Sequence, residues 1–306
     1  MAVYRADRDW SFYNAGLVGR GNVTLFLHHD VLVQWNRGHG GGPRRRGGQR
    51  IYPDAVIEAC LLLAQLFRLP LRQCQGFVQS FLDVLETGLK APHYTTLCRR
   101  AARLDVQLLS HLRDVEDKSA VVLAIDSTGL KVHASADWYH HKHRAQGPKW
   151  HDKWRKLHIG IDTASGRILM GKLTSARTND AQEGPGMVLG CHRPVKAVVA
   201  DKAYDTVTMR SACAARGARQ LIPPRCNARV SDENHHMRHQ RACGQGGTVN
   251  IGPWKRQVRY HVRSLVETTM SQLKRISAHN LTSRTMHNRQ TEALLRCKLL
   301  NILTQP

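Results

Sequence analysis

The chain has 306 residues and a formal net charge of +23 at pH 7, from 46 Lys and Arg against 23 Asp and Glu. Apolar residues make up 42% of it and charged residues 23%, a composition that excludes a disordered chain and is typical of a folded one. A folded protein with this excess of positive charge is expected to bind a polyanion, and nucleic acid is the first candidate.

The sequence predicts neither a membrane segment nor export. The longest apolar stretch, residues 55–67, contains Glu58 and Gln65 and is shorter than the roughly 20 residues that span a bilayer. Asp7 and Asp9 stand where a signal peptide has its apolar run. The 8 cysteines form no Cys-x-x-Cys pair, which is typical of reduced thiols. We therefore expect a cytoplasmic protein with no membrane partner.

Residues 1–50 form an N-terminal region that ends in a stretch rich in Gly and Arg, residues 37–50. This stretch has no large apolar side chain, which is typical of a flexible linker. It is either a solvated loop or an arm that neutralises DNA phosphates. The consecutive Arg44, Arg45 and Arg46 favour the arm.

Residues 51–117 are predicted to be helical. The spacing of apolar residues and the position of prolines indicate three short helices, over residues 53–68, 71–86 and 95–112. The third helix carries Arg99 and Arg100 on one flank. This arrangement fits a DNA-binding segment of the helix-turn-helix type, and it fits a plain three-helix packing unit nearly as well.

From residue 118 the apolar period changes to two and β-branched residues become common. Strands are predicted over residues 119–126, 155–162, 167–176, 195–201 and 218–224. Helices are predicted over residues 205–216, 258–277 and 289–304, while glycine and proline leave residues 180–189 ambiguous. Residues 225–256 have no period and are predicted to be an irregular insertion. The pattern indicates a mixed α/β domain over residues 118–306.

Two aspartates are predicted to close apolar strands. Asp126 is the last residue of VVLAID, and Asp201 is the last residue of KAVVAD. If these strands are neighbours, the carboxylates lie side by side at the sheet edge and require a cation between them, which points to a divalent metal. The alternative is that each is an ordinary turn residue, since Asp-Ser-Thr-Gly also favours a turn.

A third acidic residue lies on the helix predicted over residues 258–277. Tyr260, Arg263, Glu267 and Lys274 fall within a stripe of roughly 60° on this helix, away from its apolar face. One carboxylate among a phenol, a guanidinium and an ammonium suits a metal ligand surrounded by phosphate-binding groups. A surface ion pair between Arg263 and Glu267 explains the same pattern.

The spacing Tyr260-x2-Arg263-x3-Glu267-x6-Lys274 resembles the catalytic-helix signature of bacterial insertion-sequence transposases of the DDE type. The chain is similar, more closely, to the insertion sequence 5 family over nearly its whole length. The matching segments follow in the family's order: YNAGLVGRGNVTLFL, FRLPLRQCQGFVQSFL, PHYTTLCRRAARL, LAIDSTGLKV, WRKLHIGID and VVADKAYD.

The resemblance implies an RNase H-like catalytic domain of mixed-sheet α/β class behind the N-terminal all-helical segment. In it, Asp126, Asp201 and Glu267 would bind two divalent ions, normally Mg²⁺, for which Mn²⁺ can substitute. The reaction would be cleavage of DNA at the ends of the element, followed by strand transfer into target DNA. Tyr260, Arg263 and Lys274 would contact DNA.

The same resemblance implies the partners and the setting of the protein. Its ligand would be double-stranded DNA, both the terminal inverted repeats and the target. Bringing two element ends together would require at least a homodimer, and the protein would be associated with the bacterial nucleoid.

Two alternatives remain: an RNase H-like nuclease such as a resolvase, which cuts without joining, and a non-catalytic DNA-binding regulator derived from a transposase. Histidines are frequent in residues 136–154, and Cys226, His235, His236, His239 and Cys243 form a second group. Neither group has the paired ligand spacing of a zinc module, so we interpret them as polar loop residues.

Overall fold

The computed structural model describes residues 29–37, 51–109, 119–132, 153–225, 252–276 and 280–304, and five single positions before residue 29. The linker arginines Arg44, Arg45 and Arg46, the two histidine-rich groups and most of the predicted insertion lie outside the described residues. The chain divides into two units, Met1–His111 with Arg275–Pro306, and Leu112–Lys274. Within the described residues, no helix is long and apolar enough to cross a membrane.

The described helices, in chain order, are α1 (His29–Arg37), α2 (Asp54–Leu66), α3 (Leu71–Val84), α4 (Tyr94–Ala101), α5 (Asp180–Leu189), α6 (Val207–Ala215), α7 (Gly252–Gln257), α8 (Ser264–Ile276) and α9 (Met286–Leu303). The described strands are β1 (Val121–Val132), β2 (Trp154–Asp162), β3 (Ile168–Ser175), β4 (Val195–Val199), β5 (Arg219–Leu221) and β6 (Asn280–Leu281). Short 3₁₀ turns lie at Lys202–Tyr204 and Tyr260–Arg263.

The prolines set where the helices of the first unit begin. Pro53 and Pro70 each occupy the position before a helix, where a residue in extended conformation is needed, and α2 and α3 follow them as predicted. The third helix is shorter than the predicted residues 95–112, since α4 spans only Tyr94–Ala101. Beyond it, Leu104, Val106 and Leu108 are buried at every second residue, the period of an extended chain and not of a helix.

The C-terminal helix α9 belongs to this first unit and is buried on most of its circumference. It contacts α2 and α4: the Thr291 hydroxyl donates to the Ala101 carbonyl at 2.7 Å, and Lys298 pairs with Glu58. Within α9, Arg296 Nη2 lies 2.6 Å from Glu292 Oε1, and both side chains are 3% exposed. An ion pair this deep is held in place because the Glu292 carboxylate also accepts the N–H groups of Thr282 and Ser283.

The second unit is built on a sheet in the order β3-β2-β1-β4-β5. Strand β2 runs antiparallel to both of its neighbours, β3 and β1, while β1 is parallel to β4 and β4 to β5. This strand order with these directions is that of an RNase H-like domain, and it confirms the predicted mixed α/β class. Helices α5 and α6 cover one face, where Leu123 and Ile125 of β1 pack with Met187 and Met209.

Strand β1 differs from its prediction at its C-terminal end. It was expected to end at Asp126, but it continues to Val132. The reason is that β2 is long enough to pair with the whole extension, from Ser127 opposite His158 to Lys131 opposite Trp154. The ladder therefore overrides the turn preference of Asp-Ser-Thr-Gly, and Asp126 lies in mid-strand, opposite Ile159.

The buried Arg296–Glu292 pair leads to a stability prediction. Glu292→Ala should lower the free energy of unfolding by about 3–5 kcal/mol, because it removes the carboxylate that neutralises the buried Arg296 charge. Replacing both residues, Glu292→Leu with Arg296→Met, should recover part of that loss, since no uncompensated charge then remains. Urea denaturation measures both variants. A double variant less stable than Glu292→Ala would contradict this account.

Candidate active site

Asp126 projects from the middle of β1, with its side chain 20% exposed. Its Oδ1 atom accepts the N–H of the next residue, Ser127, at 2.8 Å. Burial raises the pKa of Asp126 above its ordinary value, and the charges of Asp201 and Glu267 raise it further, against the lowering effect of the Ser127 N–H and of Arg263. Asp201 and Glu267 are therefore both close enough to Asp126 for their charges to act on it.

Asp201 follows β4, the parallel neighbour of β1. Ala124 of β1 is opposite Val199, the last residue of β4, and each aspartate lies two residues beyond this pair. The predicted strand was expected to reach Asp201, but β4 ends before it. The Asp201 side chain caps the 3₁₀ turn Lys202–Tyr204, where its Oδ1 accepts the Ala203 N–H at 2.6 Å. This bond fixes the carboxylate at the carboxyl end of β4.

Glu267 comes from α8, and the chain before it departs from the predicted single helix over residues 258–277. Residues Tyr260–Arg263 form a 3₁₀ turn, preceded by Arg259 in the left-handed conformation at φ 54°. Because a 3₁₀ turn has three residues, Tyr260 and Arg263 still lie on one side of it, and Glu267 follows one α-helical turn later. Lys274 lies about two turns further along α8.

Arg263 joins two of the acidic residues. Its Nη1 atom lies 3.2 Å from Asp126 Oδ2, and its Nη2 atom lies 2.5 Å from Glu267 Oε1. The guanidinium is thus the counter-ion of a strand carboxylate and a helix carboxylate at once. Sequence reasoning anticipated the i, i+4 pair with Glu267 but not the contact with Asp126, which depends on where α8 meets the sheet.

Tyr260 ties the 3₁₀ turn to the end of β4. Its hydroxyl donates to the Ala200 carbonyl at 3.0 Å, immediately before Asp201. Burial raises the pKa of Tyr260 to about 12, so the hydroxyl remains protonated and able to donate at neutral pH. Lys255 lies over the Tyr260 ring, 5.3 Å from its centroid. The phenol therefore orients the segment that carries Arg263 and Glu267.

Arg99 and Arg100, also predicted to contact DNA, lie on α4 in the first unit. Arg99 is exposed. Arg100 pairs with Asp54 and donates to the Tyr52 carbonyl at 2.8 Å, contacts that hold α4 against the start of α2. DNA contact by these two arginines stays a prediction.

The sequence did not single out a second polar group beside Asp126. Asp180, the first residue of α5, accepts hydrogen bonds from the Ser127 hydroxyl at 2.7 Å and from Lys156 Nζ at 3.0 Å. A usable signal was present, because Asn179 and Gln182 have the spacing of a capping box and the structure forms one there. That pattern places the start of a helix at residue 180.

Tyr204 is a further residue that the sequence did not identify. It is 1% exposed, and a Cβ atom on Gly184 would lie 2.7 Å from its ring, so only glycine fits that turn of α5. Within the described residues its hydroxyl has no hydrogen-bond partner. Burial, and then the charges of Asp180, Asp126 and Asp201, raise its pKa, so Tyr204 is a neutral group among three carboxylates.

The chemistry of the three acidic side chains suits a hard divalent cation, because Mg²⁺ and Mn²⁺ prefer carboxylate oxygens. Burial, and then the charges of Asp201 and Glu267, raise the pKa of Asp126, and a bound cation would act against this effect by stabilising the ionised carboxylate. As the side chains stand, no three His, Cys, Asp or Glu residues of the described ranges are grouped to hold a metal ion. Arg263 supplies the positive charge between Asp126 and Glu267 instead.

Two known protein families match parts of this chain. Residues 117–302, more than half of the chain, match a family described as a transposase DDE domain. Residues 18–135 match a second family with the same description. The chain is also similar to a piggyBac transposase in a synaptic complex with hairpin DNA, with 12% identity and a TM-score of 0.43, over 94% of this chain and 73% of the other.

His158, opposite Ser127 on β2, leads to a prediction on pH. It is fully buried, with Nε2 2.8 Å from Thr174 Oγ1, and burial lowers its pKa despite the nearby charges of Asp180 and Glu183. The folded protein thus keeps His158 neutral, while the unfolded chain takes up a proton below about pH 6.5. Stability should therefore fall as the pH drops below that value.

The variant His158→Gln keeps a group that can bond to Thr174 but does not titrate. Between about pH 7.5 and pH 5.5 its melting temperature should fall less than that of the wild type. Thermal unfolding at several pH values measures the difference. Parallel curves for the two proteins would show that His158 does not contribute to the pH dependence.

Proposed function

The chain belongs to the family of transposases with a DDE domain, and we propose that it cuts DNA at the ends of an insertion sequence and joins the freed 3′ ends to target DNA. Proteins of this family generally use divalent metal ions. The assignment of the site is supported by the strand register, in which Asp126 and Asp201 belong to neighbouring parallel strands of the matched region. It is also supported by Arg263, which pairs with both Asp126 and Glu267.

We assign metal binding to Asp126, Asp201 and Glu267 and propose two Mg²⁺ ions, with Mn²⁺ as a substitute. When bound, such ions lower the pKa of the attacking oxygen and stabilise the leaving oxygen in phosphoryl transfer. The carboxylates need to do no acid–base chemistry themselves, since their part is to hold positive charge where the phosphate charge develops. Asp126 lies in the middle of a paired strand, and Asp201 caps a 3₁₀ turn. Both backbones are held in place, which suits these residues to metal binding.

The remaining residues of the site would position DNA. Arg263 can bind a phosphate in bidentate fashion, and Lys274 can bind one as a point charge. Tyr260 already donates its hydroxyl to the Ala200 carbonyl, so we assign to it the orientation of this segment and contact with DNA through the ring. The net charge of +23 supports DNA as the partner. We further propose that the terminal repeats and the target are both double-stranded and that the active complex is at least a dimer.

Glu267→Gln tests the assignment of the site. With Mg²⁺, the wild type should cut labelled DNA that carries the element with its flanking sequence, at the element boundary, and EDTA should stop it. The variant should cut about 10² to 10³-fold more slowly, the loss that follows removal of one group that stabilises transition-state charge. It should bind the same DNA as tightly as the wild type.

Glu86→Gln is the matched control, because it removes the same charge at an exposed position of the first unit. It should cut at the wild-type rate. Cutting without joining would assign a nuclease of the resolvase type. DNA binding without cutting in wild type and variant would assign a non-catalytic regulator.

Arg263→Gln tests whether the guanidinium competes with the metal. Two partly exposed ion pairs are each worth up to about 1 kcal/mol, so their removal should raise the affinity for Mn²⁺ by about two- to tenfold. Isothermal titration of the protein with MnCl₂ alone measures this. The control Arg219→Gln, an exposed arginine of β5, should leave the affinity unchanged. Unchanged or weaker Mn²⁺ binding by Arg263→Gln would contradict competition.

A further inference from the structure

A line of hydrogen bonds connects Asp180 to Asp126 through one residue. The Ser127 hydroxyl donates to Asp180 Oδ1 at 2.7 Å, and the Ser127 N–H donates to Asp126 Oδ1 at 2.8 Å. Lys156 Nζ donates to the same Asp180 oxygen at 3.0 Å. These bonds bring together β1, β2 and the first residue of α5.

The two carboxylates lie on different faces of the sheet. Successive side chains of a strand point to opposite faces, and Leu123 and Ile125 pack beneath α5 and α6. Ser127 continues that row and meets α5, so Asp126, one residue before it, projects from the other face. Asp180 is therefore placed to act on the backbone from which Asp126 projects, and not on the reacting phosphate.

Asp180 is itself firmly held. The Asn179 side chain caps α5 and Gln182 completes a capping box, which fixes the first turn of the helix. Lys156 also donates to the Thr178 carbonyl at 3.0 Å, so its ammonium links β2 to the segment before the helix. The partly buried Lys156 balances the charge of Asp180, which therefore requires no metal ion for this purpose.

We propose that Asp180, neutralised by Lys156, is a positioning residue that orients the Asp126 carboxylate through Ser127. The inference rests on the proposed role of Asp126 in the reaction. With the Ser127 side chain held, its N–H engages Asp126 Oδ1 and leaves Oδ2 for the cation, a place that Arg263 now fills. Groups in a reacting site must be held within about 0.5 Å of the productive geometry, and this line of bonds is the support that β1 provides.

The test compares Asp180→Ala with Asp180→Asn. The Ala variant should cut DNA about 10- to 100-fold more slowly and require a correspondingly higher Mn²⁺ concentration for half-saturation, the usual effect of losing a group that orients a metal ligand. DNA binding and the melting temperature should change little. The Asn variant keeps an oxygen that accepts from Ser127, so it should restore most of both quantities.

Two further variants separate positioning from general damage to the fold. Ser127→Ala keeps the backbone N–H but removes the hydroxyl, so it should act in the same direction as Asp180→Ala, and the two should not be additive when combined. Glu183→Ala removes another carboxylate from the first turn of α5, one that pairs with Lys172 at 2.6 Å and not with Ser127. It should leave cutting and Mn²⁺ binding unchanged.

The possible results separate the positioning role of Asp180 from the proposed function of the protein. A wild type that binds Mn²⁺ and cuts, with an Asp180→Ala variant that does both equally well, would overturn the positioning role alone. Equal defects in Asp180→Ala and Asp180→Asn would overturn it too, because the ion pair with Lys156 and not the Ser127 bond would then matter. A wild type that neither binds Mn²⁺ nor cuts would overturn the proposed function itself.

Discussion

Strand β1 is hydrogen-bonded to β2 along most of its length and to β4 along its first residues. A strand paired on both sides cannot slip by one residue without sending every side chain to the opposite face. The pairing therefore decides that Ile125 and Ser127 face α5 and that Asp126 faces away from it. The register with β4 ends at Ala124 and Val199, so Asp126 and Asp201 each lie two residues beyond the same pair, and the Ala203 N–H then holds the Asp201 carboxylate.

The second constraint is electrostatic. Asp126 is partly buried and lies near Asp201 and Glu267, so the folded chain concentrates negative charge at one place. The protein as a whole has an excess of 23 positive charges, but at this site acidic side chains lie close together, and Arg263 stabilises them locally. The same guanidinium is the group that we assign to a phosphate of DNA. Phosphate binding would draw it away from the carboxylates as the metal ions take its place.

Sequence reasoning succeeded where a local pattern decides the structure. The apolar runs around Leu123 and Val198 predicted buried strands, and Pro53 and Pro70 predicted where helices begin. The predictions were wrong where a residue far away in the sequence determines the local structure. The extension of β1 depends on the length of β2, and the end of α4 at Ala101 reflects an extended chain packed on the core.

In the candidate site too, local sequence patterns were predicted and contacts between distant residues were not. The spacing of Tyr260, Arg263 and Glu267 could be read from the sequence, whereas the bond from Arg263 to Asp126 joins residues 137 positions apart. The contacts of Asp180 could not be predicted from the sequence for a related reason. Its capping box predicts a helix start, but no local pattern tells that this start meets Ser127 and Lys156.

The site thus contains carboxylates that are neutralised by two different cations, Lys156 and Arg263. Asp180 is paired with Lys156 at 3.0 Å, and both side chains are about equally covered by the strands and the helix start that hold them. Glu267 is about half exposed, and its partner Arg263 is shared with Asp126. All of these ion pairs are partly exposed, and each is worth at most about 1 kcal/mol. They differ in their other contacts: Asp180 also accepts a hydrogen bond from Ser127 and Lys156 also donates to Thr178, whereas Arg263 is shared between two carboxylates. The Lys156–Asp180 pair is therefore suited to support β1. The Arg263 ion pairs are suited to be replaced by the metal ions and the DNA phosphate that we propose as ligands.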